Sequence, residues 1–443
     1  MENFPCDSGK PLFVERKLET EWQKPFCAGG FKVLKRNKSV EQERSAILWE
    51  EVFPLQYTTE ISGYAPLLED IRQQSAKAEV ERVLPIEAIK RLKRSSFTAL
   101  RVPTQYGGLG RPLSELFSAV IDLATADSNV AQALRAHFGF VEHLLFEQPS
   151  AYTDQWFERV GKGETAGAAA AEKGSGRDRF ATTVSRKDKH FVINGSKFFT
   201  TGSLYADWLT VTASTEDGET VKCLASRHDP GLEIVDDWDG VGQRLTASGT
   251  AHFQDVRVHD DILRYGNTEF PYSQAFFQLY HLATVAGITQ AAALDIAGAV
   301  KSRKRAFSHA NHELPAQDPQ ILEIVGQVAS AAHAARSIVR HAAEALQAAA
   351  DKKGEDRGSD IIKAELEVWQ AQEIIFPLTL NATSLLFDAL GGTATLRSAA
   401  LDRYWRNIRT IGCHNPRVYR TRIVGDYLVN GNLPSGQWRV GAV

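Results

Sequence analysis

Near the end of the chain, TIGCHNPRVYR (Thr410 to Arg420) sets His414 beside Asn415 and Pro416, then adds Tyr419 and Arg420. Packing alone does not ask for that cluster. An imidazole titrates near working pH, so His414 could move a proton or hold a developing negative charge. The plainer alternative is a histidine satisfied at a helix end. In FFTTGS (Phe198 to Ser203), Thr200, Thr201 and Ser203 put hydroxyls at a strand end beside the flexible Gly202, and Phe199 offers an aromatic face. Threonine and phenylalanine also simply suit a strand. In RKRAF (Arg303 to Phe307), Arg305 could fork two hydrogen bonds onto a phosphate, or be solvated.

These residues need elements to position them, and the pattern supplies three blocks. From about Ile47 to Phe157 the spacing is helical, broken at VPTQYGGLGRPL (Val102 to Leu113). Between residues 161 and 265, β-branched residues and period-two alternation predict strands, with turns at KDKH and at Asn194-Gly195. After Phe270 the chain is helical again. Ile321, Val325, Val328, Ala332, Ala335, Val339, Ala342 and Leu346 step by three and four, which predicts a long amphipathic helix. A second helix is expected from Ile361 to Leu390, kinked near Pro377 and stopped at Gly391-Gly392. The expected order is an extension (1–45), a helical domain (46–160), a central β domain (161–265) and a C-terminal helical bundle with its tail (266–443). The fold class is mainly α with a central β domain.

The 443 residues exceed one ordinary core. A net charge of -3 gives no sign of a nucleic-acid partner. No run approaches the roughly 18 apolar residues of a membrane span, and the N-terminus lacks a signal-peptide core. Cys6, Cys27, Cys223 and Cys413 form no CxxC pair, so neither a metal site nor a disulfide framework is expected, and the setting reads as reducing and cytoplasmic. No GxGxxG follows a strand, so the chain is not expected to bind NAD(P)H itself.

The block order resembles the acyl-CoA dehydrogenase fold. VPTQYGGLG, NGSKFFTTGSLYADW (Asn194 to Trp208), GQRLTASGTAHFQDVRV (Gly242 to Val258) and RKRAF each resemble family motifs, in family order, over about residues 55 to 430. The resemblance implies a flavin packed by Phe199 and held by Thr200, Thr201, Gly202 and Ser203, with Thr201 facing N5 and O4. It also puts Arg305 and Phe307 at the start of a helix whose arginine reaches flavin phosphate.

A dehydrogenase of this family needs a glutamate base, placed either in the late loop or early in the first C-terminal helix. Here His414 and Asn415 stand at the first place and His281 at the second. The tail, with His414, Asn415, Pro416, Tyr419, Arg420 and Gly425-Asp426-Tyr427, resembles instead the two-component flavin monooxygenases of dibenzothiophene and dimethyl-sulfone type and the N-oxygenases. That branch takes reduced flavin from a separate NAD(P)H:flavin reductase. The flavin reacts with O2 and passes oxygen from a C4a-hydroperoxide to sulfur, nitrogen or aromatic carbon. The resemblance implies His414 and Thr201 as catalytic residues, Asn415 and Arg420 as further flavin contacts, FMN as cofactor with FAD possible, and a homotetramer. Residues 127–146 would cover a small, hydrophobic substrate, with Arg135, His137, Phe138, Phe140 and His281 lining the pocket. Sulfur-oxidising relatives carry a Tyr near Phe140 and an Asn near Ala168 that this chain lacks. The alternative is an acyl-CoA dehydrogenase or oxidase with an unusual base, for which Glu172 is one carboxylate.

Overall fold

The computed structural model describes residues 63–174, 180–266, 269–352 and 357–434. The expected extension (1–45) and the first part of the expected helical domain lie outside them. The described chain opens with helices α1 (Ala65–Glu81), α2 (Ile86–Arg94), α3 (Leu113–Ala126), α4 (Ser128–Ala133), α5 (Arg135–Phe146) and α6 (Ala151–Gly161). Asp127 separates α3 from α4 because its carboxylate accepts from the amides of Asn129 and Val130, an N-cap that restarts the helix in a new direction.

Eight strands follow: β1 (Ala166–Ala169), β2 (Thr183–Lys187), β3 (His190–Lys197), β4 (Trp208–Thr215), β5 (Thr220–Ser226), β6 (Leu232–Val235), β7 (Thr250–Arg257) and β8 (Arg264–Tyr265). They form one mixed sheet in the order β6-β7-β3-β2-β4-β5-β8, with β1 paired parallel to β4. Asn194-Gly195 is not a hairpin turn. It lies inside β3, where the register against β7 shifts between Ile193 and Gly195. Gly195 has φ +136 and packs on Thr182, so it serves a bulge. The KDKH turn does join β2 to β3, with Asp188 left-handed.

The C-terminal helices are α7 (Ser273–Ser302), α8 (Pro319–Asp351), α9 (Arg357–Leu390), α10 (Asp402–Gly412) and α11 (Val418–Asn430). α7 is buried continuously from Gln278 to Ala293, so it is the central helix. α7 and α9 are each long and apolar enough to cross a membrane by length and composition, contrary to the sequence expectation. α7 owes its apolar run to helices packed around it, and α9 packs its buried face on α7 and α8. In α8 the positions Val328, Ala332, Ala335, Val339, Ala342 and Leu346 are buried, and Ile321 and Val325 are partly so. α9 runs helical through Pro377.

Candidate active site

The α3–α4–α5 corner is where the three blocks meet. Ser128 Oγ accepts from Gln243 Nε2 at 3.2 Å and from Asn407 Nδ2 at 3.0 Å. Asn407 on α10 in turn accepts from the Gln243 amide at 2.6 Å, and Asn129 Oδ1 accepts from the Leu245 amide at 3.2 Å. The Tyr280 hydroxyl on α7 donates to the Ala131 carbonyl at 2.9 Å. Gly202, at φ +79, lies so close that a Cβ there would stand 2.0 Å from the Ala133 carbonyl oxygen. These buried bonds fix the β domain, α7 and α10 against one short stretch of helix.

α10 ends at Gly412, and His414 sits in the linker before α11, exposed. Its ring centroid lies 4.4 Å from that of His281 on α7, tilted 46°. Arg135, at the start of α5, brings a guanidinium nitrogen to 3.5 Å from His414 Nε2. The same guanidinium lies over the Phe277 ring, 5.1 Å from its centroid. Phe277 and His281 are one turn apart on α7, and Arg135 and Gly139 one turn apart on α5. A side chain at Gly139 would put its Cβ 2.4 Å from the Phe277 ring, so glycine lets the two helices close here. His281 is 1% exposed, and among the described residues neither ring nitrogen has a hydrogen-bond partner. Burial, then His414 and Arg135, hold its pKa well below the ordinary histidine value, so it is neutral.

Thr201 begins a hydroxyl chain. Its Oγ1 is 2.7 Å from Ser248 Oγ, which is 2.7 Å from Thr246 Oγ1, which donates to the Gln243 carbonyl at 2.8 Å. Each hydroxyl has one hydrogen, so Ser248 donates to Thr246 and Thr201 donates to Ser248. Thr201 therefore turns lone pairs outward. Thr200 and Ser203 are committed inward: the Thr200 hydroxyl donates to the Gly249 carbonyl and that of Ser203 to the Ala168 carbonyl. Both are buried, so they shape the turn rather than face a ligand. Phe199 lies just past β3, left-handed at φ 61, with its ring 53% exposed and edge-on to Trp238.

Other expected site residues stand elsewhere. His137 is buried in the seam between domains: its Nε2–H donates to the Thr98 carbonyl at 2.8 Å and its Nδ1 accepts from the Ala166 amide at 3.3 Å. Phe138 is core against Phe97 and Tyr280, and Phe140 packs edge-on to Trp156. These three serve packing, because α5 presents Arg135 rather than its next residues to the histidine pair. Arg420 is fully buried over the Trp369 ring at 4.7 Å, in the packing of α11 on α9. Arg305 and Phe307 are exposed on a non-helical segment after α7, not at a helix start. It is Arg303 that is tied down, donating to the Ala389 and Leu390 carbonyls that end α9. Asn415 is half-buried beside His414. Glu172 is paired with Lys197 at 2.6 Å and accepts from the Ala181 and Thr182 amides. Burial pushes its pKa up, but Lys197 and those amides prevail and hold it at about 2, which removes it as a base. Sequence reasoning missed Phe277, Ser248, Thr246, Ser128 and Asn407. The Thr246-x-Ser248 spacing after a glycine was the available signal for the hydroxyl chain. Nothing in the sequence announced the others.

Residues 167–256 match the family model described as acyl-CoA dehydrogenase, middle domain, and residues 279–416 match acyl-CoA dehydrogenase, C-terminal domain. A dibenzothiophene monooxygenase from Rhodococcus qingshengii is 26% identical over 369 residues, covering 77% of this chain and 86% of that one. A probable FMNH2-dependent monooxygenase from Pseudomonas putida is 26% identical over 352 residues, covering 78% and 88%. Among solved structures, that of a Paenibacillus sp. A11-2 enzyme with FMN and indole superposes with a TM-score of 0.76 at 26% identity, covering 83% of this chain and 96% of that one.

Proposed function

From the premise that this chain belongs to the acyl-CoA dehydrogenase family, we propose that it is a reduced-flavin-dependent monooxygenase acting on a small sulfur-, nitrogen- or aromatic-containing substrate. The observation that carries this is the meeting of His281 and His414 at 4.4 Å. They stand where the family's two alternative glutamate bases would be, so the site has an imidazole pair where proton abstraction from a thioester needs a carboxylate. Glu172 is committed to Lys197.

The residues present fit an FMN. The exposed ring of Phe199 and the outward lone pairs of Thr201 lie on one turn. Across the α4–α5 corner stand His414 and His281, which this reading puts on the substrate side of the flavin. When bound, reduced FMN would supply two electrons to O2, one of whose oxygen atoms goes to the substrate while the other leaves as water. Thr201 would accept from the N5–H of reduced flavin. His414 would hold or deliver a proton at the transferred oxygen, and Phe199 would cover the ring and exclude water. The relatives named FMNH2-dependent or solved with FMN favour FMN over FAD.

Reduced flavin comes from a separate NAD(P)H:flavin reductase in this reading. Val418, Leu428, Val429 and Ile374 expose apolar side chains on α9 and α11, and we assign them to subunit contacts of a homotetramer. A reducing, cytoplasmic setting accords with Cys223 and Cys413 both being free thiols. To test the activity, protein loaded anaerobically with reduced FMN is mixed with oxygenated buffer and dibenzothiophene or indole. Oxygenated product, formed with delayed return of oxidised flavin, is expected. Return at the free-solution rate without product, together with bleaching of bound oxidised flavin by an acyl-CoA, sinks the proposal in favour of a dehydrogenase.

A further inference from the structure

A buried imidazole with no partner for either nitrogen is unfavourable unless a ligand completes it, because each unmatched polar group loses its water without replacement. Among the described residues His281 is such a residue, inside the continuously buried run of α7, at a position whose helix neighbours include Leu282, Ala283 and Val285. The charges that act on it come from His414 and Arg135, both basic. Arg135 reaches the same place from α5, with its guanidinium plane over Phe277 and its edge toward His414. The local chemistry is therefore a set of N–H donors with positive potential beside one aromatic face.

We infer that Arg135 and His281 form a subsite for an anionic oxygen group on the substrate, of the sulfinate, sulfonate or carboxylate class, with the substrate's apolar part against Phe277. A planar guanidinium can hold two oxygens of such a group at once, and the imidazole N–H supplies a third donor from the opposite helix. The neutral state of His281 suits this, since one ring nitrogen always carries a hydrogen to donate. A purely apolar substrate would leave the buried His281 N–H without an acceptor, and would be bound less well for that reason. The inference rests on the monooxygenase reading only in calling the ligand a substrate. It narrows that reading from hydrophobic molecules in general to amphipathic anions.

The test uses flavin-free full-length protein and calorimetric titration with benzenesulfinate and with methyl phenyl sulfone, its neutral near-isostere. The unmodified protein is expected to bind the sulfinate at least about tenfold more tightly than the sulfone. Arg135→Gln and His281→Leu should each erase that preference, leaving sulfone binding within about twofold. Thermal melting checks that His281→Leu is folded, and Arg135→Gln, at a partly exposed position, is the independent second variant. FMN titration of both variants should give unchanged affinity, which separates a substrate contact from a flavin contact. Equal binding of the two probes, binding of neither, a preference that survives both substitutions, or loss of FMN binding overturns the subsite. If the probes behave as expected while reduced FMN and O2 give no product, the monooxygenase reading fails and the anion subsite stands.

Discussion

The imidazoles of His281 and His414 face each other at 4.4 Å, one buried in the central helix and the other exposed in the linker between α10 and α11. Two imidazolium ions at that separation, beside Arg135, would repel strongly in a partly dry setting. Burial settles which ring stays neutral: His281 is held well below the ordinary histidine range. His281 is therefore a fixed neutral donor and acceptor, and the proton-handling role proposed for the pair is assigned to His414.

From this division, His414→Ala should leave flavin binding intact and reduce product formed per flavin oxidised. General acid–base contributions run about 10²–10⁴-fold in rate, so a loss of at least about a hundredfold is expected. Hydrogen peroxide should appear in place of product. The check is a paired assay of product and peroxide under excess reduced FMN. Unchanged coupling in His414→Ala would refute the assignment.

His137 and His281 are both buried, yet their removal should act oppositely on stability. His137→Leu strips partners from the Thr98 carbonyl and the Ala166 amide and should cost about 2–4 kcal/mol. His281→Leu removes two unmatched nitrogens and should be neutral or stabilising. Denaturant unfolding of the two variants measures both. The pH dependence gives a second handle. Burial lowers the His137 pKa from 6.5 to about 4, so the unfolded state binds the proton more readily. Its contribution is full above pH 6.5 and is lost as pH falls toward 4, by about 3 kcal/mol at most. Asp127, raised to about 6, changes stability in the opposite sense over part of this window. The comparison is therefore between unmodified protein and His137→Leu, whose stability should fall less steeply below pH 6.5. Parallel curves would contradict it.

The block order and α8 were both legible, because each rests on periodicity. What was not legible was long-range. Nothing local distinguishes His137, satisfied at both nitrogens, from His281, satisfied at neither, since the difference lies in Thr98 and Ala166 brought up from other elements. Asn194-Gly195 carried a true turn signal that β7 overrode by pairing across it. Arg420 reads in sequence as a flavin contact of the tail, and only the meeting of α11 with Trp369 on α9 shows it buried in packing.

The direction of the hydroxyl chain gives a binding prediction. With Thr246 donating to the Gln243 carbonyl, Thr201 can only accept from a ligand. Reduced flavin has a hydrogen on N5 and oxidised flavin does not, so the chain favours the reduced form. Ser248→Ala frees the Thr201 hydrogen and should narrow the preference for reduced over oxidised FMN by about five- to tenfold, the worth of one hydrogen bond. Anaerobic fluorescence titration with both forms measures it. An unaltered ratio would mean that Thr201 does not meet N5.

The Lys197–Glu172 pair supplies the last prediction and bears on the dehydrogenase alternative. Both side chains are almost wholly buried, 0% and 5% exposed, and joined at 2.6 Å. The carboxylate also accepts from the Ala181 and Thr182 amides, so it holds the start of the β2 region to the end of β3. Glu172→Gln leaves the Lys197 ammonium without its counter-charge, and breaking one side of such a pair costs about 3–5 kcal/mol. Glu172→Gln should therefore unfold at markedly lower denaturant concentration, while the molecules that remain folded keep the product-to-flavin ratio of the unmodified protein. A base would show the reverse, with stability kept and turnover lost. That reverse pattern, if seen with an acyl-CoA as substrate, would return Glu172 to the chemistry and remove the histidine pair from it.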